Sequence, residues 1–352
     1  MKYKTLGNTG LVVSELCLGT MTFGGGEGMW QKIGQLQQDE ATGLLRGALD
    51  AGVNFVDTAN VYAEGLSEQI TGQAIRDLGI ARDEVVLATK ALGPMGEGVN
   101  QRGASRGHLL HAIDASLERL GMDYVDLYQI HGWDPATRVE ETMRALETIV
   151  SSGRARYVGV SNWAAWHIAK ALGVSERLGI TKPVSLQAYY SLVGRGLERE
   201  IVPLLESESV GLMVWSPLAG GFLSGKYTRD GDGEGHKEGR RAEFDFPPVD
   251  EDSGFDAVDA MREIGKAHSV TVPQVALAWL LAKPAVTSVI IGAKRMDQLE
   301  DNLGAVAVEL SEADMARLDK LTRPPSEYPG WMIRRQSSYR SGGKAGDTPK
   351  DD

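Results

Sequence analysis

Val53-Asn54-Phe55-Val56-Asp57, Val85-Val86-Leu87-Ala88-Thr89-Lys90 and Val125-Asp126-Leu127-Tyr128-Gln129-Ile130-His131 are three β-prone, largely apolar runs, and each ends on a polar group. Tyr62 follows Asp57 by one short turn. Further runs of this kind begin near Leu16, Tyr157, Val184, Gly211 and Thr287. They show little polar alternation, as expected for strands covered on both faces. If the runs are consecutive parallel strands, the carboxylate, ammonium, phenol and imidazole gather at one rim.

Helical patterns fill the intervals. Val139, Met143, Leu146 and Val150 share one face, with Thr137 and Glu140 spaced as a capping box and Gly153 as a stop. Leu110, Ile113, Leu117 and Leu120 repeat the spacing after Ser105, as do Ile70, Ala74 and Leu78 before Gly79, and Val258, Met261 and Ile264. Eight strand-then-helix units predict an α/β fold of the (β/α)₈ TIM-barrel type. The doubly wound alternative wants G-x-G-x-x-G after the first strand, and Gly24-Gly25-Gly26-Glu27-Gly28 lacks that spacing.

Three segments fall outside the repeat. Residues 2–14 read as an N-terminal hairpin turning at Gly7-Asn8-Thr9-Gly10, placed to plug the barrel floor. Residues 219–255, rich in glycine and charge, read as a long mobile loop. An extra C-terminal helix and a polar tail over 322–352, partly disordered at its end, complete the chain, leaving residues 1–321 as a single domain.

Composition bounds the function. A chain of 352 residues with 42% hydrophobic content can bury a sizeable core. No apolar stretch approaches the ~20 residues needed to span a bilayer, and the polar start predicts no secretory signal. Cys17, the single cysteine, excludes a disulfide framework and reads as a small core residue. The net charge of −11 argues against a nucleic-acid partner. The expectation is a cytoplasmic protein without membrane or nucleic-acid partners, for which a homo-oligomer is open.

Near neutral pH a tyrosine is a poor acid, with an ordinary pKa of ~10. An adjacent ammonium favours the phenolate and makes the phenol a better proton donor. Asp57 can hold Lys90 in place, and His131 can donate a hydrogen bond that orients a substrate oxygen. Neither a nucleophile nor a metal cluster accompanies them. His108 and His111 lack a third ligand, and Gly220 to Lys226 misses a P-loop because Tyr227 stands where Ser or Thr would hold Mg²⁺. Such a site protonates an oxygen while another species attacks the carbon.

Asn54-Phe55-Val56-Asp57-Thr58-Ala59-Asn60-Val61-Tyr62, Thr89-Lys90 and Asp126-Leu127-Tyr128-Gln129-Ile130-His131 resemble the signature segments of the aldo-keto reductases, a likeness running from about Lys4 to Leu321. The resemblance implies Tyr62 as proton donor, Asp57 and Lys90 as its tuning pair, His131 as the carbonyl-orienting group, and hydride from NADPH/NADP⁺. It implies an aldehyde, ketone or alcohol as substrate. It also assigns cofactor contacts to Gly19, Thr20 and Met21 after the first barrel strand, to Asp57, and to Ser161, Asn162 and Gln187 at the nicotinamide carboxamide. Trp215 would stack on the nicotinamide, and Ser216, Pro217, Leu218, Gly220 and Lys226 would fold over the pyrophosphate. Gly292, Lys294 and Arg295 would meet the adenosine 2′-phosphate, with Gln298, Asp301 and Asn302 toward adenine and ribose. Trp30, Trp133 and Trp163 stand in or beside rim loops that can wall a substrate pocket. The phrasing at residues 56–62 and 215–218 looks nearer to the bacterial and potassium-channel β-subunit branches. That raises an alternative reading as a cofactor-sensing regulatory subunit; an aldolase using Lys90 as a Schiff base is a third.

Overall fold

The computed structural model describes residues 1–235, 241, 244–337 and 339. Strands β1 (Tyr3–Thr5) and β2 (Val12–Ser14) form the antiparallel hairpin. Eight parallel strands follow: β3 (Leu16–Gly19), β4 (Phe55–Asp57), β5 (Val86–Ala91), β6 (Val125–Ile130), β7 (Ala155–Ser161), β8 (Ser185–Tyr189), β9 (Gly211–Trp215) and β10 (Val286–Ile291). They close in sequence order, with β10 returning to β3. Helices Gln38–Asp50, Leu66–Asp77, Arg106–Leu120, Val139–Ser151, Ala165–Leu178 and Ile201–Glu208 occupy the first six intervals, Glu251–His268 and Val272–Leu281 the seventh. All eight runs anticipated from the sequence are strands of this (β/α)₈ barrel.

Side chains of a strand point alternately to its two faces, which here separates two cores. Leu16, Leu18, Val56, Leu87, Tyr128 and Ile130 point outward and pack under the helices. Cys17, Phe55, Val86, Ala88, Leu127, Met213 and Ile290 point inward and fill the lumen, joined from below by Leu6 and Val13 of the hairpin, both fully buried. The hairpin is therefore a floor plug. Gly7, at φ +58, carries its turn so close to the Val184 carbonyl that a Cβ would collide with it. Burial, and then the charge of Asp57, pushes the Cys17 thiol well up, consistent with a packing role.

Three local expectations change. The capping box at Thr137 does not form: the helix starts at Val139, Arg138 caps it without a side-chain bond, and the Thr137 hydroxyl donates to Asp134 Oδ2 at 2.7 Å. Asp134 also accepts from the backbone N–H groups of Ala104 and Ala136, and this acceptor outcompetes the helix end for the hydroxyl. Second, residues 219–255 are not loop throughout. A 3₁₀ segment spans Ala219–Ser224, and the helix beginning at Glu251 is capped by Asp250, which accepts from Ser253 N; residues 236–240, 242 and 243 lie outside the described residues. Third, the C-terminal region forms two helices, Glu312–Leu321 and Gly330–Ser337, the second within the expected tail, whose end from residue 340 lies outside the described residues.

Candidate active site

The inward phase that places Phe55 and Ala88 in the lumen also turns Asp57 and Lys90 inward, one pleat higher. Both are buried, at 2% and 0% exposure. Lys90 Nζ donates to Asp57 Oδ2 at 2.6 Å, to the Thr58 carbonyl at 2.8 Å and to the Tyr62 hydroxyl at 3.2 Å. Tyr62 reaches this position through a left-handed turn, Ala63 (φ 46), Glu64 (φ 56) and Gly65 (φ 97), which sends the chain back into helix Leu66–Asp77. Glycine suits position 65, because its φ of 97 is strained for any residue with a Cβ and a Cβ there would also press on the Arg119 side chain. His131 follows β6, its ring edge-on to Tyr62 with centroids 5.8 Å apart, and the Trp30 ring lies 6.0 Å from Tyr62.

The electrostatics assign distinct states. Burial alone would lower the Lys90 pKa, but the charge of Asp57 and the hydrogen bonds to Asp57 and Tyr62 outweigh it and hold the ammonium above the ordinary lysine value. Burial, and secondarily the Lys90 ammonium, pushes His131 down to about 3. The imidazole is therefore neutral near pH 7, with one ring N–H able to donate and one ring nitrogen able to accept. This has a consequence for stability. Between the ordinary value of 6.5 and about 3 the unfolded chain binds a proton at His131 that the folded chain does not. Its contribution is complete above 6.5 and is lost as pH falls through that window. His131→Asn should flatten the fall in urea midpoint measured from about pH 6.5 to 5, above most carboxylate titration; an unchanged slope would contradict the assignment.

The neighbouring strands deliver an amide-rich wall. Gln187 Nε2 on β8 donates to Asp57 Oδ1 at 3.0 Å, as does Gln129 Nε2 on β6. Ser161 ends β7, fully buried. Asn162, held at φ 58, donates from Nδ2 to the His131 carbonyl (3.1 Å) and to Ser161 Oγ (3.0 Å), and accepts from Trp215 Nε1 (3.0 Å). It thus joins His131 to the indole at the end of β9. Trp215 lies against Tyr189, centroids 5.2 Å apart, and stacks with Phe246 at 5.8 Å.

A model of the Aldo/keto reductase family matches residues 15–323. The chain belongs to the aldo/keto reductase family. It is 39% identical to a probable voltage-gated potassium channel subunit beta of Arabidopsis thaliana over 97% of this chain and all of that one. It is 37% identical to the uncharacterized oxidoreductase YrpG of Bacillus subtilis (92% and 97% covered), and 34% identical to versiconal hemiacetal acetate reductase of Aspergillus parasiticus (94% and 99% covered). Family and relatives make the chain an oxidoreductase of carbonyl chemistry.

Within this reductase fold the remaining anticipated residues fall into two further groups. Gly19 pairs in register with Asp57 and packs so tightly on β10 that a Cβ would lie 2.7 Å from Ile290 Cγ2. Thr20 donates to the Asp57 carbonyl from its backbone N (3.0 Å), and Met21 continues the rim. After β9, Ser216 Oγ accepts from Gly220 N at 2.9 Å, and Leu218, following Pro217, offers its carbonyl to Gly221 N and Leu223 N. Ala219, Gly220 and Gly221 are all left-handed, and a Cβ on Gly220 would strike the Phe246 carbonyl. Lys226 is exposed at the end of this segment.

Beyond Gly292, which follows β10, Lys294 N donates to Gln298 Oε1 at 2.9 Å while Lys294 Nζ donates to the Lys32 carbonyl at 3.0 Å. Arg295 is paired with Asp297 at 2.7 Å at the start of helix Met296–Gly304. In that helix Asp301 accepts from Thr271 Oγ1, and Asn302 Nδ2 reaches toward the Gly292 carbonyl at 3.5 Å. Trp133 and Trp163 meet edge to face at 4.9 Å, and Trp133 stacks on His167 at 3.7 Å.

Two site residues escaped sequence reading. Gln129 had a signal: it lies two residues before His131 and so shares its strand face. Glu68 had none. Its buried carboxylate accepts from Arg119 Nε at 2.7 Å and from the hydroxyl of Thr89 at 2.5 Å, bracing the residue beside Lys90.

Proposed function

We propose that the chain is an NADPH-dependent reductase of aldehydes or ketones, with Tyr62 as the proton donor and the reverse alcohol oxidation open to the same site. The observation that carries the reading is the buried Asp57–Lys90–Tyr62 chain, with a neutral imidazole edge-on to the phenol. The donor set also suits a nicotinamide nucleotide. The Ser161 hydroxyl and the Asn162 and Gln187 amides complement a carboxamide, Trp215 offers an aromatic ring beside them, and Lys294 with Arg295 at a helix start suits a phosphate. Bound there, that group supplies hydride to the carbonyl carbon.

The protein's own residues do the rest. His131 donates an N–H to the carbonyl oxygen and aims it at the phenol. Tyr62 passes its proton to that oxygen as negative charge develops. Lys90 stabilises the resulting phenolate, and Asp57 holds Lys90 charged and in place. The phenolate then recovers a proton from solvent.

NADPH consumption against a panel of aldehydes, ketones and keto sugars tests the activity. Fast, saturable turnover supports the enzyme. Tight NADPH binding with negligible turnover and a stable hetero-complex would favour the regulatory reading that the potassium-channel-subunit relative brings with it. The Lys294→Ala/Arg295→Ala double variant should raise the KM for NADPH roughly tenfold or more while leaving NADH nearly unchanged, since only NADPH carries the phosphate. Equal effects on both nucleotides would remove these residues from the phosphate site.

A further inference from the structure

We propose that Gln129 is a positioning residue of the reaction, setting through two hydrogen bonds both the potential that Asp57 exerts on the Lys90–Tyr62 pair and the orientation of the Gln187 amide. The inference rests on the reading of Tyr62 and Gln187 given above and extends it to a residue that touches neither substrate nor cofactor.

Gln129 is fully buried, in register with Lys90 on the neighbouring strand. Its Nε2 donates to Asp57 Oδ1 at 3.0 Å, and its Oε1 accepts from Gln187 Nε2 at 3.4 Å. Asp57 Oδ2 is engaged by Lys90 at 2.6 Å, so the two amides divide Oδ1 between them. A carboxylate only accepts, so both glutamines must turn Nε2 toward it. The two N–H groups of Gln187 then point inward, one to Asp57 and one to Gln129, and its Oε1 is left to receive the N–H of a carboxamide. A buried polar network of this kind specifies one geometry.

The same amides also act through their charge. Each amide N–H aimed at Oδ1 offsets part of the negative potential of Asp57 at the phenol. Removing one makes that potential more negative and disfavours the phenolate. Among the described residues, the titratable groups at Asp57 are Lys90 on β5 and Cys17 on β3, with Tyr62 after β4 and His131 after β6 facing Lys90. Cys17 stays protonated and His131 neutral in the range of interest, leaving Tyr62 and Lys90 to shape the profile.

Gln129→Met keeps the volume and removes both bonds. The expected result is an upward displacement of the alkaline limb for carbonyl reduction, and of the rising limb for alcohol oxidation, by on the order of half a pH unit. KM for NADPH should also rise roughly threefold to tenfold, the factor one neutral hydrogen bond carries. A residue that merely fills the lumen would leave the limbs where they are, and unmoved limbs overturn the proposal. Should Gln129→Met fail to fold, Gln129→Glu decides. The introduced carboxyl can donate to Asp57 only while protonated, so the variant should acquire a new descending limb as pH rises; a profile shaped like that of the parent overturns the proposal. Tyr62→Phe run alongside separates the two failures. Full activity in that variant removes the reading of Tyr62, whereas an inactive Tyr62→Phe with unmoved limbs in Gln129→Met removes only the role of Gln129.

Discussion

Tyr62→Phe is expected to lower kcat for carbonyl reduction by roughly two to four orders of magnitude, the usual contribution of a positioned proton donor, while leaving NADPH affinity close to that of the parent. The substitution removes only the oxygen that Lys90 contacts at 3.2 Å. The ring remains to pack against His131 and Trp30, at 5.8 and 6.0 Å, so the wall of the pocket survives. The loss should fall on kcat and kcat/KM alike, because the missing interaction is made in the transition state. Nucleotide binding, followed by quenching of tryptophan fluorescence, should be retained. Turnover within a few-fold of the parent would show that another group supplies the proton.

Lys90→Met is the second large effect, and it strikes stability as well as rate. The ammonium is fully buried and its three bonds include the 2.6 Å pair with Asp57. Removing it leaves a carboxylate at 2% exposure with two amide donors and no countercharge. Breaking a buried pair in this way costs about 3–5 kcal/mol, far more than the pair contributes relative to an apolar replacement. Urea unfolding should therefore show a large fall in midpoint at an unchanged m-value. The double variant Asp57→Asn/Lys90→Met should recover most of that stability, because no buried charge remains, yet stay inactive because nothing tunes the phenol. Recovery of activity in the double variant, or a single variant as stable as the parent, would break the account of this pair.

These two outcomes test different layers of the molecule. The Tyr62 phenol is carried on a turn, whereas the Asp57–Lys90 ion pair is built into adjacent strands. Glu68 and Arg119 brace the same corner from outside the barrel, through Thr89. This corner is thus held from both faces of β5, which suits groups that the proposed reaction requires in fixed positions.

Much of this was legible in the chain itself. Apolar runs ending at Asp57, Lys90 and His131 defined strands, and the two-residue period of a strand decides which side chains share a face. Phe55 with Asp57, Ala88 with Lys90 and Leu127 with Gln129 obey that rule, so the inward aim of the site groups is a local property. The hairpin at Gly7-Asn8-Thr9-Gly10 was local too, because a turn and its two flanking strands lie within a dozen residues.

What only the tertiary structure decided concerns partners brought from far apart. Gln187 lies 130 residues from Asp57 and Gln129 lies 72 away, and no pattern in either strand announces that both amides converge on one carboxylate oxygen. Thr137 was spaced to cap a helix, but Asp134 captured its hydroxyl once the β6 loop had folded against Ala104. Lys294 and Lys32 meet across 262 residues because closure of the barrel sets β10 beside β3. Backbone alternation is written residue by residue and can be read without the fold. The identity of a polar group's partner depends on barrel closure and strand register, which arise only when all eight strands have paired.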